Sequence, residues 1–117
     1  MRILICGDRD WKLFGPIMRE LRARRKDVTV VIHGCARGAD TVAGKVAYSL
    51  GIKVERYPAD WTKYGKGAGP IRNQQMLDDG KPDLVLAFHE DIASSKGTAD
   101  MVRRAKEAGI PVEIFTQ

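Results

Sequence analysis

Five short apolar runs alternate with four segments of helical periodicity along the 117 residues. The apolar runs are rich in β-branched residues, as is typical of strands buried on both faces. The intervening segments repeat apolar residues every three or four positions, as is typical of helices with one buried face. Parallel strands need such crossover segments, which are right-handed and cover both faces of a sheet. The pattern therefore predicts an α/β fold: a Rossmann-like three-layer sandwich with a five-stranded parallel sheet and helices on both faces.

The five expected strands lie at residues 2–6, 28–33, 53–58, 83–89 and 111–116. Pro58 closes the third run, which favours an edge position because proline cannot donate a hydrogen bond to a neighbouring strand. The expected strand order is 3-2-1-4-5, with the order reversing between the first and fourth strands.

The first helix is expected to begin between Trp11 and Pro16, and the third and fourth to span residues 70–80 and 97–109. Gly51 ends the second, as glycine commonly does after a helix. The segment 59–69 has no clear period and is expected to be irregular. The expected buried face of the first helix consists of Leu13, Phe14, Ile17, Met18 and Leu21.

The length suits a single compact domain of residues 1–117. Hydrophobic residues make up 44% of the chain, yet no apolar run approaches the roughly 20 residues that span a bilayer. The first ten residues do not resemble a signal peptide, and two cysteines do not make a disulfide framework. A soluble, cytoplasmic protein without a membrane partner is expected.

The net charge is +5, and much of the positive charge lies in the run RELRARRK at residues 19–26. At helical spacing this run covers the solvent side of an amphipathic helix. That interpretation is favoured over a nucleic-acid-binding patch, which stays the alternative. An excess of cations also suits an anionic small ligand.

Unusual residues follow three of the expected strands, at the edge of the sheet where folds of this class bind ligands. The segments are CGDRDW at residues 6–11, HGCARGAD at 33–40 and SSKGTAD at 94–100. Because parallel strands end at one edge, we expect the three segments to form one site.

HGCARGAD has the composition of a phosphate-binding loop. Gly34 and Gly38 let the main chain bend so that successive N–H groups face one spot, and the next helix adds its positive end. Arg37 supplies charge, while Gly38 and Ala39 keep side chains away from a ligand. The alternative is a tight strand-to-helix turn that carries an arginine. The segment matches neither G-x-x-x-x-G-K-[ST] nor G-x-G-x-x-G.

The other two segments offer similar groups. Gly7 permits a close backbone approach, Arg9 offers a planar fork of donors, and Asp8, like Asp40, accepts from a ribose or caps a helix. Ser95 and Thr98 cap a helix or, in the favoured interpretation, hold phosphate oxygens.

Further candidates lie between these segments. Arg72 falls in the first turn of a helix, where a cation is unfavourable unless a nearby anion neutralises its charge. Trp61 and Tyr64 either stack on a base or pack internally. The candidate ligand-binding residues are Gly7, Asp8, Arg9, His33, Gly34, Ala36, Arg37, Gly38, Asp40, Arg72, Asn73, Ser94, Ser95, Gly97 and Thr98.

Cys6, His33, Cys35 and His89 all fall at strand ends, which raises the question of a zinc site. Their spacing matches no established ligand pattern. No metal and no cofactor are expected.

The motifs GDRDW, HGCARGAD, DWTKYGKGAGPIRNQQM and SSKGTADM occur in this order and resemble the YspA-like branch of the SLOG superfamily. That superfamily includes the Lonely Guy phosphoribohydrolases and the Rossmann domains of DNA-processing protein A. The resemblance implies a nucleotide or nucleotide-derived ligand of the AMP, NAD or ADP-ribose type, held by a sensor or carrier. By analogy with the dimeric Lonely Guy enzymes, it also implies a homodimer.

An enzymatic alternative follows from the same resemblance. Lonely Guy enzymes carry P-G-G-x-G-T-x-x-E, and their glutamate is needed for N-glycosidic cleavage. Here Gly97 and Thr98 match, but Met101 stands at the glutamate position. Asp100 or Asp8 is the candidate acid/base of such a hydrolase, and Arg72 resembles the arginine of the preceding helix.

Overall fold

In the computed structural model, which describes all 117 residues, five parallel strands form one sheet in the order β3-β2-β1-β4-β5. The expected order and class are confirmed, and the third strand lies at an edge. Each strand lies within about two residues of its expected ends, because apolar runs mark strand interiors better than their limits. The strands are β1 (Arg2–Gly7), β2 (Val30–His33), β3 (Lys53–Arg56), β4 (Leu84–Phe88) and β5 (Val112–Phe115).

Five α-helices and two 3₁₀ turns, Gly65–Gly67 and Ile92–Ser94, connect the strands. None of the helices has both the length and the apolar character that a membrane crossing requires. The helices are α1 (Phe14–Ala23), α2 (Ala39–Ser49), α3 (Trp61–Tyr64), α4 (Ala68–Asp78) and α5 (Gly97–Glu107).

The sheet separates two apolar cores because successive side chains of a strand point to opposite faces. In β1, Ile3 and Ile5 belong to the core that contains the buried residues of α1 and α2. Leu4 and Cys6 belong to the core formed with α4 and α5. The central strand is thus covered on both sides, which leaves its carboxyl end open for a ligand.

The buried face of α1 differs from the expectation. Ile17 and Leu21 are fully buried, but Leu13 and Phe14 are 53% and 46% exposed. Because α1 begins only at Phe14, Leu13 precedes the helix and does not share its apolar face. Trp11 is buried near the helix start instead, with its ring edge-on to Phe88 at 5.7 Å between centroids.

The segment 59–69, expected to be irregular, contains α3 and a 3₁₀ turn. The Asp60 side chain accepts a hydrogen bond from the Lys63 amide at 3.0 Å and caps the short helix. The next helix, α4, begins at Ala68, two residues before the expected start at Pro70, and Ala68 is buried.

The basic run at residues 19–26 is only partly a solvated helix face. Helix α1 ends at Ala23, so the last cations of the run lie beyond it. Arg24 forms ion pairs with Glu20 at 2.8 Å and with Glu113 at 3.0 Å, and its side chain is 20% exposed. Arg24 therefore ties α1 to β5, and the run offers fewer free cations than its composition suggests.

Candidate functional site

A cavity of about 630 Å³, here called the large cavity, opens at the carboxyl ends of β1 and β4. The loops after β1, β2 and β4 line it together with the first turns of α4 and α5. It therefore lies at the reversal of strand order, where ligands bind in folds of this class. The candidates that line it are Gly7, Asp8, Arg9, Ala36, Arg37, Asp40, Arg72, Asn73, Ser95, Gly97, Thr98 and Asp100.

Five candidates lie outside this lining: His33, Gly34, Gly38, Tyr64 and Ser94. His33 is buried, and its Nδ1 accepts a hydrogen bond from the Cys35 amide at 3.0 Å. The Ser94 hydroxyl donates to the carbonyl of Asp91 at 2.9 Å. These two side chains hold their own loops in place.

Gly38 permits two strand-end loops to touch. Its φ is +78°, and a Cβ there would collide with the carbonyl oxygen of Asp8 and the backbone of Arg9. The next amide, of Ala39, donates to the Asp8 carbonyl at 3.0 Å, and Ala39 is fully buried. Gly38 and Ala39 thus serve loop-to-loop packing, where the expectation was that they leave room for a ligand.

Asp40 occupies much of the expected phosphate loop. Its buried carboxylate accepts hydrogen bonds from the amides of Gly34 at 2.8 Å and Ala36 at 3.3 Å. The Cys35 and Ala39 amides also donate hydrogen bonds within the chain. In this loop only the amides of Arg37 and Gly38 are therefore free to bind a ligand. The expected cradle of the whole segment 34–39 is therefore reduced to those two amides.

Burial raises the pKa of Asp40 to about 6, although the hydrogen bonds from the Gly34 and Ala36 amides oppose the shift. Burial, followed by the nearby Arg56 and Arg72, lowers the pKa of His33 to about 4. At neutral pH Asp40 is therefore largely ionised and His33 is neutral.

The loop after β4 is partly a helix cap and partly open. The Ser95 hydroxyl accepts from the Thr98 amide at 3.0 Å, as an N-terminal cap does. The amides of Lys96 and Gly97 have no acceptor within the chain, and both residues line the large cavity. They stand at the N-terminus of α5, where the helix dipole favours negative charge.

Arg72 reaches from α4 to the loop after β2. Its Nη1 donates to the carbonyl of Gly34, and its Nε donates to Asn73 Oδ1 at 3.1 Å. A Cβ at residue 34 would lie 2.5 Å from Arg72 Nη1, so Gly34 makes room for this guanidinium. Burial lowers the pKa of Arg72, and no carboxylate forms an ion pair with it.

Asp100 is held by three neighbours. Its oxygens accept from Arg103 at 2.7 Å, Arg104 at 2.8 Å and Asn73 at 3.0 Å. Burial would raise its pKa, but the hydrogen bonds from Asn73 and Arg104 outweigh burial and lower it. A carboxylate with a lowered pKa and occupied oxygens is poorly suited to act as a general acid. These contacts favour a structural link between α4 and α5.

A second cavity of about 250 Å³, here called the small cavity, adjoins the large one. Arg9, Arg37 and Arg72 line both cavities, as does Trp61. Arg9 forms neither a side-chain hydrogen bond nor an ion pair in the chain, and Arg37 approaches only Asp10, at 3.8 Å. Trp61 is 50% exposed, so it is not the buried packing residue that one alternative expected.

Lining residues that were not among the candidate ligand-binding residues include Lys66, Met76, Lys96 and Met101, and also His89, which was considered only as a zinc ligand. Met76 follows Arg72 by one helical turn and Lys96 lies inside SSKGTAD, so spacing alone offered a signal for both. Nowhere in the structure do three or more His, Cys, Asp or Glu side chains come together in a way that could hold a metal ion.

Comparisons with known proteins agree with this fold. The family model described as YspA, cpYpsA-related SLOG family matches residues 1–64. The chain is 39% identical to the Gene 61 protein of Mycobacterium phage D29 over 123 residues, covering 97% of this chain and 95% of that protein.

The X-ray structure of DNA processing protein A from Streptococcus pneumoniae superimposes with a TM-score of 0.78 over 97% of this chain. At 19% identity this likeness shows the fold alone, and the chain spans 49% of the length of that protein. Because the family model covers more than half of the sequence, the chain belongs to the YspA, cpYpsA-related SLOG family.

Proposed function

We propose that the chain, acting as one domain, binds a nucleotide-type ligand in the large cavity as a sensor or carrier. The observation that carries the proposal is a pair of arginines without carboxylate partners, Arg9 and Arg72, at the reversal of strand order. Arg9 is exposed, and the half-buried Arg72 donates only to the neutral oxygens of Gly34 and Asn73. A bound phosphate would supply the anionic acceptor that neither guanidinium has within the chain.

The size and lining of the cavity support the same ligand class. A volume of about 630 Å³ lies within the range of small-molecule sites. The free amides of Lys96 and Gly97 at the start of α5 suit phosphate oxygens. The half-exposed ring of Trp61 offers a surface on which a base or sugar can pack.

The arginines allow a direct test of this proposal. Replacing Arg9 by Ser removes a cation that has no partner in the chain, so stability should stay unchanged while nucleotide affinity falls by about tenfold. Isothermal titration calorimetry with AMP, NAD and ADP-ribose measures the change. Small molecules released from the denatured, freshly purified protein and identified by mass spectrometry name the ligand to titrate next.

Arg22→Ser is the matched control, because it removes the same charge from α1 and Arg22 does not line either cavity. Equal loss of affinity in both variants would mean that only net charge matters. No binding of any nucleotide to the native protein, together with no released ligand, would refute the proposal.

The hydrolase alternative has a separate test. We expect no free base to be released from AMP or NAD, because Asp100 is held in ion pairs and Met101 has no titratable group. Chromatography of the incubation mixture detects the base directly. Release of base by the native protein but not by Asp100→Asn would replace the sensor function with an N-glycosidic hydrolase.

A further inference from the structure

The small cavity differs from the large one in the charge of its lining. Three guanidinium groups line it, from Arg9, Arg37 and Arg72, and no aspartate or glutamate does. The large cavity contains several carboxylates, Asp40 and Asp100 among them. Asp10 lies 3.8 Å from Arg37, and both side chains are mostly exposed, so this pair neutralises little.

Positive charge is therefore concentrated where the two cavities meet. Burial lowers the pKa of Arg72, the nearby Asp40 carboxylate opposes that shift, and Arg9 is close enough to add to it. The buried Asp40 carboxylate faces this group but does not line the small cavity, so the arginine side chains there meet no carboxylate. Phosphate oxygens are the acceptors that arginine binds best in two-pronged geometry. A single phosphate in the large cavity would leave the small cavity, with its three arginines, unoccupied.

The size of the small cavity restricts what enters it. About 250 Å³ lies below the roughly 300 Å³ at which sites for whole small molecules begin. It suits a phosphate with part of a sugar better than a complete second nucleoside. Its remaining lining includes Cys35, Pro58 and Ala59, which add no charged group beyond the arginines.

Building on the proposed function, we propose that the ligand carries at least two phosphate groups and that the second lies in the small cavity, bound by Arg37 and Arg72. The ligand class is then a nucleotide with a diphosphate or a second, separate phosphate. A nucleoside monophosphate would fill only part of the site.

Calorimetry with three probes tests the proposal: AMP, ADP-ribose and adenosine 3′,5′-bisphosphate. At least one of the two probes with two phosphates should bind about tenfold more tightly than AMP. Ala59→Glu places a carboxylate in the small cavity only and should abolish this ratio. Ala59→Gln adds a side chain of the same size without charge and should retain most of the ratio.

Cys35 provides a second, local measurement because it lines the small cavity and not the large one. Its side chain is accessible, whereas burial raises the pKa of the Cys6 thiol and keeps it unreactive. At saturation, a probe with two phosphates should slow alkylation of Cys35 by iodoacetamide at least about fivefold, and AMP less than about twofold. Peptide mass spectrometry follows both cysteines.

Tight binding of AMP with no gain from a second phosphate, and with Cys35 equally reactive under all three probes, overturns this inference and leaves the proposed function intact. A ratio unchanged by Ala59→Glu also overturns it. Failure of all three probes to bind overturns this inference, and together with no ligand released from the denatured protein it also overturns the proposed function.

Discussion

Replacing Gly38 by Ala should lower the free energy of unfolding by about 4 kcal/mol, in part because the backbone at φ +78° and ψ −127° is one that L-residues seldom adopt. In addition, the new Cβ would collide with the backbone of Asp8 and Arg9. Relief requires the loops after β1 and β2 to separate, which breaks the hydrogen bond from the Ala39 amide to the Asp8 carbonyl. Urea unfolding followed by circular dichroism measures the loss.

Gly109→Ala is the matched control. Gly109 has nearly the same φ, +77°, but no atom lies within 4 Å of the position that its Cβ would take. This variant should lose only about 1 kcal/mol, from backbone strain. Similar losses in the two variants would show that contact between the two loops contributes little to stability.

Replacing either Asp40 or His33 should reveal a strong pH dependence of stability that the native chain conceals. The folded pKa of Asp40, about 6, lies above its ordinary value of 3.8. Asp40 therefore stabilises the folded chain at low pH, and this stabilisation is lost as the pH rises through 6. The folded pKa of His33, about 4, lies below its ordinary value of 6.5. His33 therefore stabilises the folded chain above pH 6.5, and this stabilisation is lost as the pH falls through 4. The opposite slopes of stability against pH from the two groups nearly cancel.

In Asp40→Asn, stability should rise between pH 4.5 and 6.5 by on the order of 2 kcal/mol relative to the native chain, because only the His33 slope remains. In His33→Asn, which keeps an acceptor for the Cys35 amide, stability should fall by a similar amount. Urea titrations at the two pH values give both numbers.

The double variant is the control for this pair and should return to the native slope. Other carboxylates have pKa values that are lowered by their arginine partners, as the hydrogen bond from Arg24 does for Glu20. These groups titrate at lower pH and affect the stability of all four proteins alike. Parallel slopes in all four proteins would mean that Asp40 and His33 are not the titrating groups.

The secondary structure and its arrangement could be predicted closely, since hydrophobic periodicity is a local property of the chain. The continuous apolar run in RILICG predicts a strand buried on both faces. The observed division of Ile3 and Ile5 from Leu4 and Cys6 follows because successive side chains point to opposite faces. The exceptions, Leu13 and α3, lie at helix starts: α1 begins after Leu13 without a side-chain cap, and α3 begins at the Asp60 cap.

For the candidate site, the sequence by itself determined which segments meet, because strands of a parallel sheet end at one edge and each of the three segments follows a strand. It also determined that Arg9 and Arg72 lie there.

Which hydrogen-bond donors remain free was decided only by the tertiary structure. Asp40 takes the Gly34 amide, Arg72 packs on Gly34, and Asn73 and Arg104 hold Asp100. Such partners often come from distant parts of the chain, and hydrogen bonding requires positions accurate to a few tenths of an ångström. Periodicity along a sequence contains no information at that scale. Which amide and guanidinium donors are bonded within the chain, and which stay free for a ligand, is therefore decided only when the chain is folded.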